Sequence, residues 1–173
     1  MSLKGALLSR DQPATAMIRK ALIKEVPEIW RMLHEFADAD VLPRTMADLY
    51  SQVREYFVYR QDHTPLIGVA ALHIFWEDLG EIRSVAVSRD FQKTGIGSQL
   101  VKKCIEEAKS IGLKKVFALT TRPQFFERLG FHQVPNDDLP KIIWSECKDC
   151  LKFPDKCNEI PMILNLEKGG KSG

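Results

Sequence analysis

The segment SVAVSRDFQKTGIGSQL, from Ser84 to Leu100, decides the fold of this chain. Small and apolar residues alternate through Val87, a polar and basic loop follows, and Gly95 and Gly97 open a stretch of helical periodicity. Alternation of period two marks a strand, and recurrence every three or four residues marks a helix. Ile96, Leu100, Val101, Cys104, Ile105, Ala108 and Ile111 fall on one face of that helix, with Lys102, Lys103, Glu106, Glu107 and Lys109 on the other. Gly112 is placed to end it. Cys104 lies on the apolar stripe and reads as a core residue. A strand that ends in a glycine-rich helix start favours phosphate, because unpaired N–H groups and the helix dipole converge on one spot.

Outward from this unit, AMIRKAL (16–22) reads as a first strand, and Val26, Ile29, Trp30, Leu33 and Phe36 predict a helix from Lys24. Pro27 is tolerated in its first turn. Thr45 and Asp48 make a capping-box start for a second helix, expected to reach about Tyr56. YFVYRQ (56–61) and LIGVAALHIF (66–75) predict strands around the turn DHTP, and GEIRSVAV (80–87) a fourth. After the long helix come a strand KKVFALTT (114–121), a short helix RPQFFERL (122–129), a strand at FHQV (131–134), a helical piece around LPKIIWSEC (139–147) and a last strand EIPMILNL (159–166). Antiparallel strands followed by a strand–helix–strand unit imply an α/β (α+β) fold. Its centre is a mixed sheet of about six to seven strands flanked by helices.

A length of 173 residues suits one domain, expected over 16–166, with a disordered leader (1–15) and tail (167–173). The net charge of +2 argues against nucleic acid and against a membrane surface as partner. No apolar run approaches the roughly 18 residues of a membrane span, and the opening lacks a secretory h-region. A cytoplasmic location with reduced thiols is therefore expected, with no metal at Cys147, Cys150 and Cys157, which offer three thiols where zinc wants about four ligands. The partner is expected to be a small molecule, with room for a homodimer.

Two generic phosphate motifs fail. QKTGIGSQ lacks the spacing and lysine of a P-loop, and Leu100 stands where a dinucleotide fingerprint needs its third glycine. What remains is Gln92, Gly95 and Gly97 in the pattern Q-x-x-G-x-G, whose successive N–H groups can converge on a diphosphate. This pattern resembles the acyl-CoA signature of the GNAT superfamily of N-acetyltransferases. The resemblance implies acetyl-CoA as cosubstrate and a sheet splayed at the acyl-CoA site. It also implies binding of the pantetheine arm by the main chain of Val85, Ala86 and Val87, and of the diphosphate by Gln92, Lys93, Thr94, Gly95, Ile96, Gly97 and Ser98.

Acetyl transfer to an amine needs a base for the ammonium proton and an exit for the thiolate. Strand alternation puts Leu79, Glu81, Arg83, Val85 and Val87 on one face, with Glu81 and Arg83 about 7 Å apart. Glu81, before the expected acetyl site, is the candidate catalytic base, as several GNAT enzymes carry glutamate there. Many of them place a tyrosine acid before a Gly-Phe pair, where this chain has Phe125 and Phe126. Phenylalanine donates no proton, so water or direct expulsion of thiolate takes that part.

VFALTTRPQFFERLGF (116–131) resembles a segment of the N-acetylglutamate synthases, and shorter matches lie at IRKA, LPRT, GEIRSVAV and DLPK. The resemblance implies transfer of acetyl to the α-amine of an amino acid, L-glutamate, the opening step of arginine biosynthesis. Arg122 matches the arginine that binds a substrate carboxylate in that family. Arg44, Arg83 and Arg19 are further candidates for the acceptor, since arginine pairs with carboxylates through a two-pronged fork. Where the family pattern often has serine and histidine after that arginine, this chain has Pro123 and Gln124. Two readings compete: a GNAT enzyme for another small amine or a protein N-terminus, and a non-catalytic acyl-CoA-binding module.

Overall fold

The computed structural model describes residues 17–36, 44–145 and 157–167. The expected leader, the tail beyond Glu167, Cys147 and Cys150 lie outside them.

Seven strands form one sheet in the order β1-β2-β3-β4-β5-β7-β6. The strands are β1 (Met17–Lys20), β2 (Tyr56–Arg60), β3 (Gly68–Trp76), β4 (Leu79–Val87), β5 (Lys115–Thr120), β6 (His132–Gln133) and β7 (Ile160–Asn165). All neighbours run antiparallel except β4 and β5, which are parallel. Parallel neighbours need a crossover, and α3 (Ile96–Ser110) supplies it across one face of the sheet. Its stripe of Ile96, Leu100, Val101, Cys104 and Ala108 is buried against β2, β3, β4 and β5. Each fully buried Leu or Val side chain there contributes about 1.5–3 kcal/mol. Contact is close: a Cβ at Gly68 would meet Leu100 Cδ1 at 2.9 Å, so only glycine lets β3 pass beneath α3 here. Burial pushes the Cys104 thiol up to about 12, which leaves it an inert apolar group.

The opposite face is covered by α1 (Val26–Glu35) and α2 (Met46–Ser51), whose Val26, Ile29, Leu33 and Leu49 pack with Tyr56, Val58, Val69 and Ala86. Pro27 sits in the first turn of α1. Thr45 caps α2: its Oγ1 accepts from the Asp48 N–H at 3.1 Å, and Asp48 Oδ2 accepts from the Thr45 N–H at 3.3 Å. The helix is shorter than the capping signal implied. It stops at Ser51, a single 3-10 turn (Val53–Glu55) follows, and β2 takes Tyr56, because the buried run Tyr56–Val58 belongs to the sheet. The short helix α4 (Pro123–Glu127) follows β5. The expected helical piece around 139–147 is, as far as Ser145, a turn followed by a single 3-10 helical turn over residues 143–145, pinned by buried Leu139 and Ile143 beside Phe117.

Candidate active site

β4 turns over in mid-strand. Val69 opposes Ala86 and Ala71 opposes Arg83, so Ala70 alone faces both Ser84 and Val85. The added residue is a β-bulge, carried by Ser84 at φ 56°. Before it, Ile82 packs under α3, while Glu81 and Arg83 look the other way, where Arg83 meets Gln52 and Glu55. After it, Val85 and Val87 pack under α3 and Ala86 joins the α1 side. The expected common face of Glu81, Arg83, Val85 and Val87 is thus corrected, since one extra residue inverts the phase of everything beyond it.

The same strand parts from its neighbour. β4 and β5 pair only at Leu79–Lys115, Gly80–Val116 and Glu81–Phe117, yet β4 runs on to Val87 and β5 to Thr120. Between the diverging ends lies a cavity of about 810 Å³. Val85, Ala86, Val87, Gln92, Lys93, Gly95, Ile96, Gly97 and Ser98 all line it. Thr94 does not; its hydroxyl donates to the Phe91 carbonyl and holds the loop. The Gln92 side chain donates to the Val87 carbonyl at 3.2 Å, fastening the loop to the strand end. Lys93 (φ 61°) and Gly95 (φ 87°) both take the left-handed conformation, and Gly95 is the N-cap of α3. At that end the N–H groups of Gly95, Ile96, Gly97 and Ser98 have no acceptor within the helix. A Cβ on Gly97 would lie 3.5 Å from the Phe125 ring, so bare glycine keeps the approach open. This cradle fits a diphosphate, and the unpaired length of β4 fits an extended arm laid along it as an added strand.

Glu81 and Arg83 are both buried and line the cavity, with Arg83 Nη1 3.4 Å from Glu81 Oε2. Arg44 and Arg122 line it too. The Nε of Arg44 is buried and makes no hydrogen bond among the described residues. Arg122 precedes α4, and its N–H donates to Thr120 Oγ1 at 2.9 Å. Arg19 stands apart from these three. It is not in the cavity wall, and its guanidinium forks onto Glu25 at 2.8 and 2.9 Å. Phe125 lines the cavity and packs edge-on against Phe126. Tyr56, buried behind the bulge, has its hydroxyl 3.5 Å from Ser84 Oγ; burial pushes its phenol up.

Sequence reasoning missed Ser84, Arg128 and Glu159 in the cavity wall, and Gln52 and Glu55 behind it. No spacing rule would have found the last two, because sheet register and the turn before β2 bring them to Arg83. Cys157, of the cysteine cluster, is an exposed free thiol. No helix among the described residues is long and apolar enough to cross a membrane.

Residues 18–131 match the model of the acetyltransferase (GNAT) family. An amino-acid acetyltransferase of Mycobacterium tuberculosis is 30% identical over 142 residues, covering 81% of this chain and 82% of that one. A Mycobacterium tuberculosis protein crystallised in complex with CoA superposes with a TM-score of 0.77 at 28% identity, over 87% of this chain and 99% of that one. The N-acetylglutamate synthase of Neisseria gonorrhoeae, crystallised with coenzyme A and N-acetyl-glutamate, gives 0.80 at 28% identity; 91% of this chain covers 36% of that longer one. With its splayed β4 and β5, its glycine cradle at the start of α3 and these relatives, the chain belongs to the GNAT family of acetyltransferases, and its cosubstrate is acetyl-CoA.

Proposed function

We propose that this enzyme transfers the acetyl group of acetyl-CoA to the α-amine of an amino acid, with L-glutamate as the acceptor. One observation carries the reading: a single cavity gathers the diphosphate cradle, a buried carboxylate at Glu81 and four arginines, Arg44, Arg83, Arg122 and Arg128. A dicarboxylate acceptor matches such a wall, since each carboxylate can take a charge-assisted pair from a guanidinium. The activities of the relatives, an amino-acid acetyltransferase and an N-acetylglutamate synthase, support the same class.

The roles follow from placement. Main-chain N–H groups of Lys93 and of Gly95 to Ser98 hold the diphosphate, the Gln92 N–H being taken by the Arg89 carbonyl, and the main chain of Val85–Val87 holds the arm. Acetyl-CoA, when bound, supplies a thioester whose acyl carbon the amine attacks, forming the N–C bond as the C–S bond breaks and thiolate leaves. Arg122 and Arg44 hold the acceptor's carboxylates and so aim its nitrogen. Glu81 takes the ammonium proton, directly or through a water. Phe125 and Phe126 offer no proton to the leaving sulfur, so it departs as thiolate or takes its proton from water.

Incubation with acetyl-CoA and a panel of amino acids, followed by free-thiol release, tests the reading. Release that depends on glutamate supports it. Release only with other amines replaces the acceptor, and tight CoA binding without turnover on any amine would leave a binding module instead.

A further inference from the structure

Glu55 sits behind the cavity, at the end of the 3-10 turn that leads into β2. Its carboxylate lies 2.9 and 3.0 Å from His73 Nδ1 and 3.7 Å from Arg83 Nη2. The same Nη2 donates to Gln52 Oε1 at 3.2 Å. The other arm of the guanidinium, Nη1, is 3.4 Å from Glu81 Oε2. Arg83 therefore stands between two carboxylates, one lining the cavity and one behind it.

A guanidinium keeps its charge at every working pH. Beside one carboxylate alone it would lower that group's proton affinity by about 1–3 pH units. A general base works best when its affinity lies near the operating pH. A second carboxylate drawing on the same guanidinium offsets that pull. Other charges belong to the same neighbourhood: His73 pairs with Glu81 between β3 and β4, Asp48 at the start of α2 lies in the field of Arg44 and Arg83, and Arg44, Arg122 and Glu159 line the cavity. Among the described residues, Glu55 and Glu81 lie within 4 Å of the Arg83 guanidinium, one at each arm.

We propose that Glu55 is a positioning residue for the base: it anchors Arg83 and shares its charge, so that Glu81 keeps the proton affinity that an ammonium demands. The proposal rests on Glu81 being the base, and its test separates the two ideas. The profile of kcat/KM for the amino acid against pH is measured for the full chain and for Glu55→Gln, His73→Asn and Glu81→Gln. Glu55→Gln, close in shape but uncharged, moves the acidic limb about 0.5–1 pH unit lower. It also lowers the plateau kcat severalfold, while the KM for acetyl-CoA changes less than twofold. The position of the limb does not depend on how much of a preparation is folded, so a weakened variant still answers. His73→Asn keeps the Glu55 charge and leaves the limb in place. An unmoved limb in Glu55→Gln, or an equal shift in His73→Asn, overturns the proposal. Glu81→Gln abolishes the limb; if it persists there, the base assignment falls first, and this inference with it.

Discussion

Glu81 and Arg122 respond differently to substitution. Glu81→Gln keeps the size of the side chain and removes its charge. It is expected to lower kcat by at least about a hundredfold at neutral pH, the usual contribution of general base catalysis. Cofactor affinity, which the proposed mechanism assigns to main-chain groups of β4 and the loop, should change little; titration with CoA checks this, and loss of binding would mean that the variant disturbs the cradle. Arg122→Ala removes a guanidinium from the cavity wall. Charge-assisted hydrogen bonds contribute about 1.5–3 kcal/mol, which converts to a rise in the KM for the amino acid of roughly ten- to a hundredfold. Steady-state kinetics with a KM left as it was would remove Arg122 from the acceptor site. The place of these two residues in the cavity wall was legible in the sequence because each lies in a short motif near a strand end. Arg19 was not. An arginine that binds a substrate carboxylate and one that binds a glutamate of its own chain have the same chemistry, and only the fold shows Glu25 at 2.8 Å.

At the scale of elements, the cradle depends on the turn before α3. Gly95 holds φ 87° with open space around its missing side chain, so Gly95→Ala meets no clash and suffers only backbone strain. That strain is about 1–2 kcal/mol. The variant is expected to fold with a modestly lower Tm and to bind CoA more weakly. Calorimetric titration checks the second point, and unchanged affinity would show that the turn geometry is not what holds the diphosphate. The helix itself was legible because fifteen residues of regular period leave little choice of face. The bulge in β4 was not. Ser84 is no glycine, the apolar pattern continues straight through it, and the extra residue becomes evident only when β3 supplies the opposite register. Likewise α2 outran its evidence: a capping box marks where a helix starts, and the buried run beginning at Tyr56 ended it early.

For the whole molecule, one ionic network ties β1, α1, β2 and the β2–β3 loop together. Glu25 is buried between Arg19 at 2.8 Å and Arg60 at 3.3 Å, and Arg60 also meets Glu28 at 2.8 Å. The Arg19 hydrogen bond holds the Glu25 carboxyl below its ordinary range. For Glu28, burial pulls upward, but bonds from Arg60 and the Leu66 N–H outweigh it and the net shift is downward. Asp48 is lowered by its bond from Thr45. Groups lowered in this way stabilise the fold above the unfolded carboxylate range and lose that contribution as pH falls through their folded values. Stability to urea is therefore expected to be level near neutrality and to fall below about pH 5, where unfolded glutamate begins to protonate. Arg19→Met should flatten that fall; a slope as steep as before would place the acid sensitivity elsewhere. The mixed sheet was legible as a whole because strand–helix–strand and hairpin patterns are local. Its central opening was legible only through the resemblance, which implies a sheet splayed at the acyl-CoA site; no local pattern marks it, since it arises where pairing of β4 and β5 stops after Glu81 and Phe117.

The bulge at Ser84 has a consequence for what the chain could survive. In the proposed mechanism it lets one ribbon serve two reactants from opposite sides, its carboxylate turned to the acceptor and its later backbone to the acyl donor. The left-handed φ of 56° restricts position 84 to residues that tolerate it, such as glycine, asparagine or aspartate beside the serine present. A deletion between Ile82 and Val85, however, would rotate Glu81 towards α3 and leave the amine facing aliphatic carbon. The count of residues in that short span is thus harder to alter than their identity.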